Sequence, residues 1–206
     1  MKKLVCLLFL FFFSIGFGQK EVKKSIPNRN ISTIEIDAEN CYKVEILATE
    51  GNQVIIEAQI DGEYQKDLLV SVKEKDSSVT IKTGFQPLFT SPNDKLSAHK
   101  VISIALKIKI PKDKYVSLLG TNSNVIAAGD YKNLKIVLES GFCNLVALMG
   151  NVIVTTKSGD ITVENKNGNF IVNSKYGKVI KGKIPKGKPH FNLTTVTGNI
   201  LLKKIK

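Results

Sequence analysis

The sequence predicts an all-β protein: a right-handed parallel β-helix or β-roll built from turns of about 18 residues, preceded by a less regular β portion. Three observations point there. Corner residues recur at a fixed step: Ser123, Gly141, Gly159 and Gly177 are 18 apart, and Gly198 follows after 21. A second corner keeps the same step through Asn133, Asn151 and Asn169, then His190 after 21. Between the corners lie short alternating runs rich in Val, Ile and Thr, which is the strand period and not the helical one.

Taken in chain order, residues 1–18 read as a secretory signal peptide. Lys2 and Lys3 open it, Leu4 to Phe13 form an apolar run, and Gly16 and Gly18 stand at −3 and −1 of a cut before Gln19. The run is shorter than the roughly 20 apolar residues that a membrane span needs, and no later stretch is long enough. Cys6 lies inside the run rather than just after the cut, which argues against a lipid anchor. The expected location is outside the cytoplasm: periplasm, outer surface or secreted. Residues 19–206 are expected to form one β-helix-like domain, irregular over 19–115 and regular over five repeats in 116–206.

In the irregular part the expected strands are Ile31–Asp37, Cys41–Ala48, Gln53–Gln59, Leu68–Lys73, Ser78–Thr83 and Val101–Ile110. Glu50-Gly51-Asn52 and Asp61-Gly62-Glu63 mark turns between them. Strand parity through Tyr42, Val44 and Ile46 turns Cys41 the other way, with Lys43 and Glu45. Cys143 falls in an interior column, so two free thiols are expected rather than a disulfide. Gly84 to His99 is a sixteen-residue loop carrying Phe85, Leu88 and Phe89. A loop this long and this apolar reads either as a flap over the stack or as a contact patch for a protein partner.

The copies run 116–133, 134–151, 152–169, 170–190 and 191–206. Val116, Leu134, Val152, Phe170 and Phe191 share one apolar column. Val125, Cys143, Ile161, Val179 and Ile200 share another. A coil stacks such columns about 4.8 Å apart, whereas a meander of hairpins has no need for the same corner residue in register. Glycine at the mark permits positive φ, and stacked Asn amides can bond between turns. Stacking in chain order makes 191–206 the last turn, where Lys203, Lys204 and Lys206 would guard an open edge.

The net charge of +12 is unevenly placed. Two lysines belong to residues 1–18, and residues 165–206 hold ten lysines and no Asp or Glu. Residues 19–164 carry 18 basic and 18 acidic side chains, so the remaining +10 sits in the last 42 residues. Such an end is a solvated surface by default, or a face for polyanions. Lys178, Lys181, Lys183, Lys186 and Lys188 are the candidates for the second role. No aromatic or arginine pattern accompanies them, so nucleic acid is not expected.

A strand ending "IKIPKD", turns carrying "ESG" and "KSGDITVEN", a closing "GNILL", and the openings "ISTIEID" and "KVEILATEGNQVIIEA" together resemble the bacterial putative-adhesin family, related to the head GIN domains. The resemblance covers essentially residues 19–206. It implies an exported, repeat-built parallel β-helix or roll of unestablished role, and supplies no catalytic residues. The corner departs from that pattern where Phe142 and Lys178 stand in place of the Asp of Ser-Gly-Asp.

Chemistry-bearing patterns are sparse. His99 and His190 are isolated, and no His-Cys-carboxylate cluster has metal spacing. Calcium-binding β-rolls place an Asp in every turn, whereas the mark here is followed by Asn124, Phe142, Asp160, Lys178 and Asn199. No cofactor motif, phosphate loop or serine triad is visible. A carbohydrate-active enzyme needs grouped carboxylates, and the repeats offer only Asp130, Glu139, Asp160 and Glu164. The expected function is therefore non-catalytic: binding or organising envelope or extracellular components, with anionic polysaccharide or an envelope protein as partner; the alternatives are a carbohydrate-active β-helix enzyme and a structural or assembly module that meets a protein partner through the 84–99 loop.

Overall fold

The computed structural model describes residues 20–28, 30–62, 64–90 and 102–205. The signal peptide expected over 1–18, and positions 91–99 of the long loop, lie outside the described residues. Within them fifteen strands form one mixed sheet: β1 (Lys20–Pro27), β2 (Thr33–Asp37), β3 (Cys41–Thr49), β4 (Gln53–Gly62), β5 (Leu68–Lys75), β6 (Ser78–Phe85), β7 (Ile102–Pro111), β8 (Tyr115–Asn122), β9 (Asn124–Ser140), β10 (Phe142–Thr156), β11 (Asp160–Asn165), β12 (Asn169–Ser174), β13 (Val179–Lys181), β14 (His190–Thr195) and β15 (Ile200–Lys204). The expected strands of the first half are present to within two or three residues at each end. β1 is additional; its KEVKKSIP carries no clean alternation and so gives no strand signal of its own.

The pairings trace two rows of strands. One runs β5-β6-β2-β8-β9-β10-β14-β12, and the other β1-β4-β7-β3-β9-β10-β11-β15-β13. β9 and β10 serve both rows. Gly129 sits at φ 102 within β9, while Ala147 at φ 48 and Gly150 at φ 92 accompany two register shifts in β10. The inward residues form one buried cluster from Ile26 to Leu202. Alternation explains it: a strand shows each face every second residue, so Leu134, Ile136 and Leu138 are buried while Lys135 is not. The columns hold at the 18-residue step. Val116 pairs with Leu134 and Leu134 with Val152, both in parallel register. Val125, Cys143 and Ile161 do the same.

Several expectations need correction. The sheet is mixed and not uniformly parallel, because β1–β4, β4–β7 and β5–β6 are antiparallel. β5 and β6 are joined through Asp76 and Ser77 alone, with Asp76 at φ 53, and so short a link can only return the chain antiparallel.

The fifth copy does not end the stack. Val152 pairs with Phe191, and Phe191 with Phe170; Ile161 pairs with Ile200, and Ile200 with Val179. The fifth copy thus lies between the third and the fourth. The fourth has Lys181 in the column where the others place Ala127, Leu145, Val163 and Leu202. Sandwiching an ammonium between two rungs would strip its water without a partner, so this copy takes the open end. The same exchange occurs at the other end, where β2 lies between β6 and β8, and β3 between β7 and β9.

Cys41 faces inward and is buried, against parity. The β3–β7 register slips between Cys41 and Lys43, so Tyr42 is an extra residue that bulges outward. The bulge reverses the faces, and the Cys41 thiol lies 3.3 Å from the Thr83 hydroxyl. Both described cysteines are free.

The glycine corner also works differently from expectation. Only Gly141 among the marks has positive φ, at 104. The others are glycine because a neighbouring rung comes too close. A Cβ on Gly141 would lie 2.3 Å from the Ser123 carbonyl oxygen, on Gly159 2.8 Å from that of Gly141, on Gly198 2.1 Å from that of Gly159, and on Gly177 1.9 Å from that of Gly198. That sequence of contacts repeats the order read from strand pairing.

Candidate binding surface on the terminal rung

A rung needs its corner tied to the next before it can present anything. Two devices do this. The hydroxyl three residues before the glycine bonds across the corner: Thr156 Oγ1 donates to the Gly159 carbonyl at 2.7 Å, and Ser174 Oγ donates to that of Gly198 at 2.7 Å. Thr195 Oγ1 and Ser174 Oγ in turn accept the N–H of Gly198 and Gly177. The residue after the glycine bonds rung to rung. Asn124 Oδ1 accepts from the Phe142 N–H, Asp160 Oδ1 from Asn199, and Asn199 Oδ1 from Lys178. Asp160 is therefore a structural acceptor at the corner. The recurring T-K-S-G, S-K-Y-G and T-V-T-G carry the hydroxyl device in plain view, a signal absent from the sequence expectations above.

At Asn169 the side-chain amide bonds the carbonyl of Gly187 at 2.7 Å. Segment 182–189 is held close by further bonds: Gly182 N–H to the Leu202 carbonyl at 2.8 Å, Gly168 N–H to that of Pro185 at 3.0 Å, and Asn169 N–H to that of Pro189 at 2.8 Å. Ile184 packs against the core.

The five lysines singled out in the sequence all fall on the rung formed by β12, β13 and segment 182–189. Lys178 precedes β13 and Lys181 is its last residue, and Lys183, Lys186 and Lys188 lie on the anchored segment. All five are exposed, as is Lys175, whose ammonium stands 4.9 Å from the Tyr176 ring. The exchange of the last two copies thus brings six lysines to an open end. Lys203 and Lys204, expected there, lie on β15 inside the row, with Lys203 3.9 Å from Glu164.

Phe85, Leu88 and Phe89 stand at the opposite end of the first row, where β6 meets β5. Phe85 and Phe89 stack at 4.1 Å, and Tyr64 meets both edge-on at 6.0 and 5.2 Å. Those two rings are half-buried against each other, while Leu88 is 95% exposed.

Grooves lie elsewhere on the described surface. One, of about 480 Å³, runs across β1, β4, β7 and β3. In it Lys23 holds Glu57 at 3.1 Å and Lys43 holds Glu45 at 2.7 Å. The Lys23 hydrogen bond keeps the Glu57 carboxyl below its ordinary range, the reverse of what a general acid needs. Another, about 280 Å³, is lined by Asn133, Asn151, Asn169, His190, Ile153 and Ile171 beside the terminal rung. Among the described residues no three His, Cys, Asp or Glu side chains gather as a metal site, and no helix is long and apolar enough to cross a membrane.

The fold has solved relatives in shape. A putative cell adhesion protein from Clostridium sporogenes ATCC 15579 superposes with TM-score 0.66 at 14% identity, over 91% of this chain and 100% of that one. A putative adhesin from Parabacteroides merdae ATCC 43184 aligns with TM-score 0.30 at 15% identity, over 91% of this chain and 97% of that one. A putative lipid binding protein from Parabacteroides distasonis ATCC 8503 gives 0.31 at 14%, over 93% and 98%. Of these three, the first alone is close enough in shape to bear on this chain, and at that identity it shows the fold alone. No family model matches the chain, and no curated protein matches it.

Proposed function

We propose that this chain is an exported, non-catalytic, adhesin-like β-repeat protein whose terminal rung binds anionic envelope or extracellular components, anionic glycans among them. One observation carries the reading. Six exposed lysines share a single open rung, and residues 165–206 contain no carboxylate side chain to neutralise them. The fold it shares with a putative cell adhesion protein is compatible with it. We read residues 19–206 as one domain and the coil from β8 onward as a right-handed parallel β-helix or roll. A glycan array probed at low and at moderate salt tests the reading. Binding should weaken as salt rises and be lost in Lys178→Glu/Lys181→Glu/Lys188→Glu. Binding indifferent to salt would remove the electrostatic reading, and binding to no anionic glycan would remove its glycan version.

A second reading has one observation in its favour: Leu88 projects 95% exposed from the Phe85–Phe89 stack. It would make the 84–99 loop a contact with an envelope protein. Leu88→Ser should then abolish partner capture and leave the melting temperature unchanged. Unchanged capture would discard it.

A further inference from the structure

The two ends of the stack are finished differently. At one end, the edge strand β5 has its outward carbonyls capped. Lys20 Nζ donates to the carbonyls of Leu68 at 2.8 Å and Gln65 at 3.2 Å, and Lys24 Nζ to that of Val70 at 2.9 Å. Such capping blunts an edge against further strands. At the other end, β12 pairs only with β14 and β13 only with β15 among the described strands. In a parallel ladder, alternate residues aim their main-chain groups at the same neighbour. Asn169 N–H bonds Pro189 and Lys175 N–H bonds Thr195, so the odd-numbered residues of β12 face β14. Phe170, Val172 and Ser174 therefore turn their N–H and C=O groups outward, and no described residue meets them.

Apolar side chains stand exposed on this edge among polar ones such as Asn173. Ile171 is 72% exposed, Tyr176 70% and Ile180 56%, while Phe170 and Val172 are only half-covered because no further rung lies over them. Lysines bracket the strand. Lys175 follows its last residue, and Lys186 and Lys188 lie beside its first, on the segment bonded to Gly168 and Asn169.

We propose that β12 is a docking edge for an extended acidic polypeptide, which adds as one further strand. Its main chain would pair with Phe170, Val172 and Ser174. Alternate apolar residues would cover Phe170 and Val172, and carboxylates near its ends would meet Lys175, Lys186 and Lys188. Main-chain pairing supplies affinity and the alternating side chains supply register. A polysaccharide can satisfy the lysines, but its hydroxyls do not repeat at the strand spacing and it brings no alternating apolar side chains to cover Phe170 and Val172. A second copy of this chain is disfavoured: two such ends repel, and the opposite end presents a capped β5. The inference rests on the polyanion reading above and names the partner's chemistry.

The test uses the full chain and a labelled ten-residue peptide of alternating Val and Glu. Comparators are the same peptide N-methylated at every second residue, and heparin. Fluorescence anisotropy gives affinity, and hydrogen exchange reports the amides. The parent peptide should bind and slow exchange at Phe170, Val172 and Ser174, and N-methylation should weaken it at least tenfold. Val172→Pro removes an outward donor without breaking the β12–β14 ladder, and should also weaken binding tenfold at unchanged melting temperature. If that variant misfolds, the exchange pattern of the unaltered chain still decides. Equal binding of the N-methylated peptide, or no protection of these three amides, overturns strand addition. Heparin bound in a salt-sensitive way while the peptide fails would overturn strand addition and leave the polyanion reading standing. Failure of both would overturn both.

Discussion

Gly141 carries two constraints at once, a φ of 104 and a neighbouring carbonyl that a Cβ would meet at 2.3 Å. Gly141→Ala should therefore cost at least about 2 kcal/mol, a value drawn from backbone strain alone. Gly84 is the control: an added methyl there would meet nothing within 4 Å, and Gly84→Ala should be nearly silent in the same urea titration. The buried thiols make a pH-dependent case. Burial pushes Cys41 up to about 11 and Cys143 up to about 12, from an ordinary 9.0. Below pH 9 both states hold the protons and the thiols' contribution to stability is fully present. Between pH 9 and about 11 the unfolded chain releases protons that the folded chain keeps, so stability falls by about 1.4 kcal/mol per pH unit for each thiol. Urea midpoints from pH 8 to 10.5 should decline less steeply in Cys143→Val, whose column neighbours are Val125 and Ile161. Equal slopes would show that this thiol does not titrate as a buried group. Cys41 shows why residue-level reading fails: parity is reliable only while the ladder is unbroken, and a one-residue bulge at Tyr42 turns it over.

At the scale of elements, the order of the rungs has a measurable consequence. Phe191 is 1% exposed and stacks on Phe170 at 4.7 Å, whereas Phe170 is only partly covered. Phe191→Ala should cost about 3–5 kcal/mol as an interior truncation, and Phe170→Ala clearly less. Stacking in chain order would reverse the ranking, so the two urea curves separate the arrangements. Asn165 is a second structural point. Its amide accepts from the Leu148 N–H at 2.8 Å and donates to the carbonyls of Leu148 at 3.1 Å and Asn167 at 2.7 Å, bridging the irregular stretch of β10. Asn165→Leu strands two buried main-chain groups and should cost roughly 2–4 kcal/mol. Strand existence, the 18-residue columns and the positions of both corners were legible, because alternation and a fixed step are read along the chain; the reason for most corner glycines, a neighbouring rung's carbonyl, was not. The swap of the last two copies was legible only through Lys181, whose place in an apolar column marks the copy that cannot be interior. The lysine cluster was visible as composition, but its gathering on one open rung follows from the swap.

For the whole molecule, the interleaving places the C-terminal copy in the interior of the stack, so stability depends on that chain end more than a simple coil would allow. β14 and β15 are flanked on both sides: by β10 and β12 in one row, and by β11 and β13 in the other. A chain cut after Pro189 loses the only described partners of β12 and β13 along with the contacts of Phe191, Leu193, Ile200 and Leu202. Residues 170–189 should then exchange their amides at unprotected rates, while 134–165 stay protected to a smaller degree than in the full chain. In a coil stacked in chain order the same cut would remove one terminal turn and leave 170–181 protected on its neighbour. Hydrogen exchange on the two chains therefore tests the architecture directly. It also bears on binding: the six-lysine rung exists as an ordered surface only while the C-terminal rung holds it, so the cut chain should lose salt-sensitive polyanion binding although it keeps all six lysines.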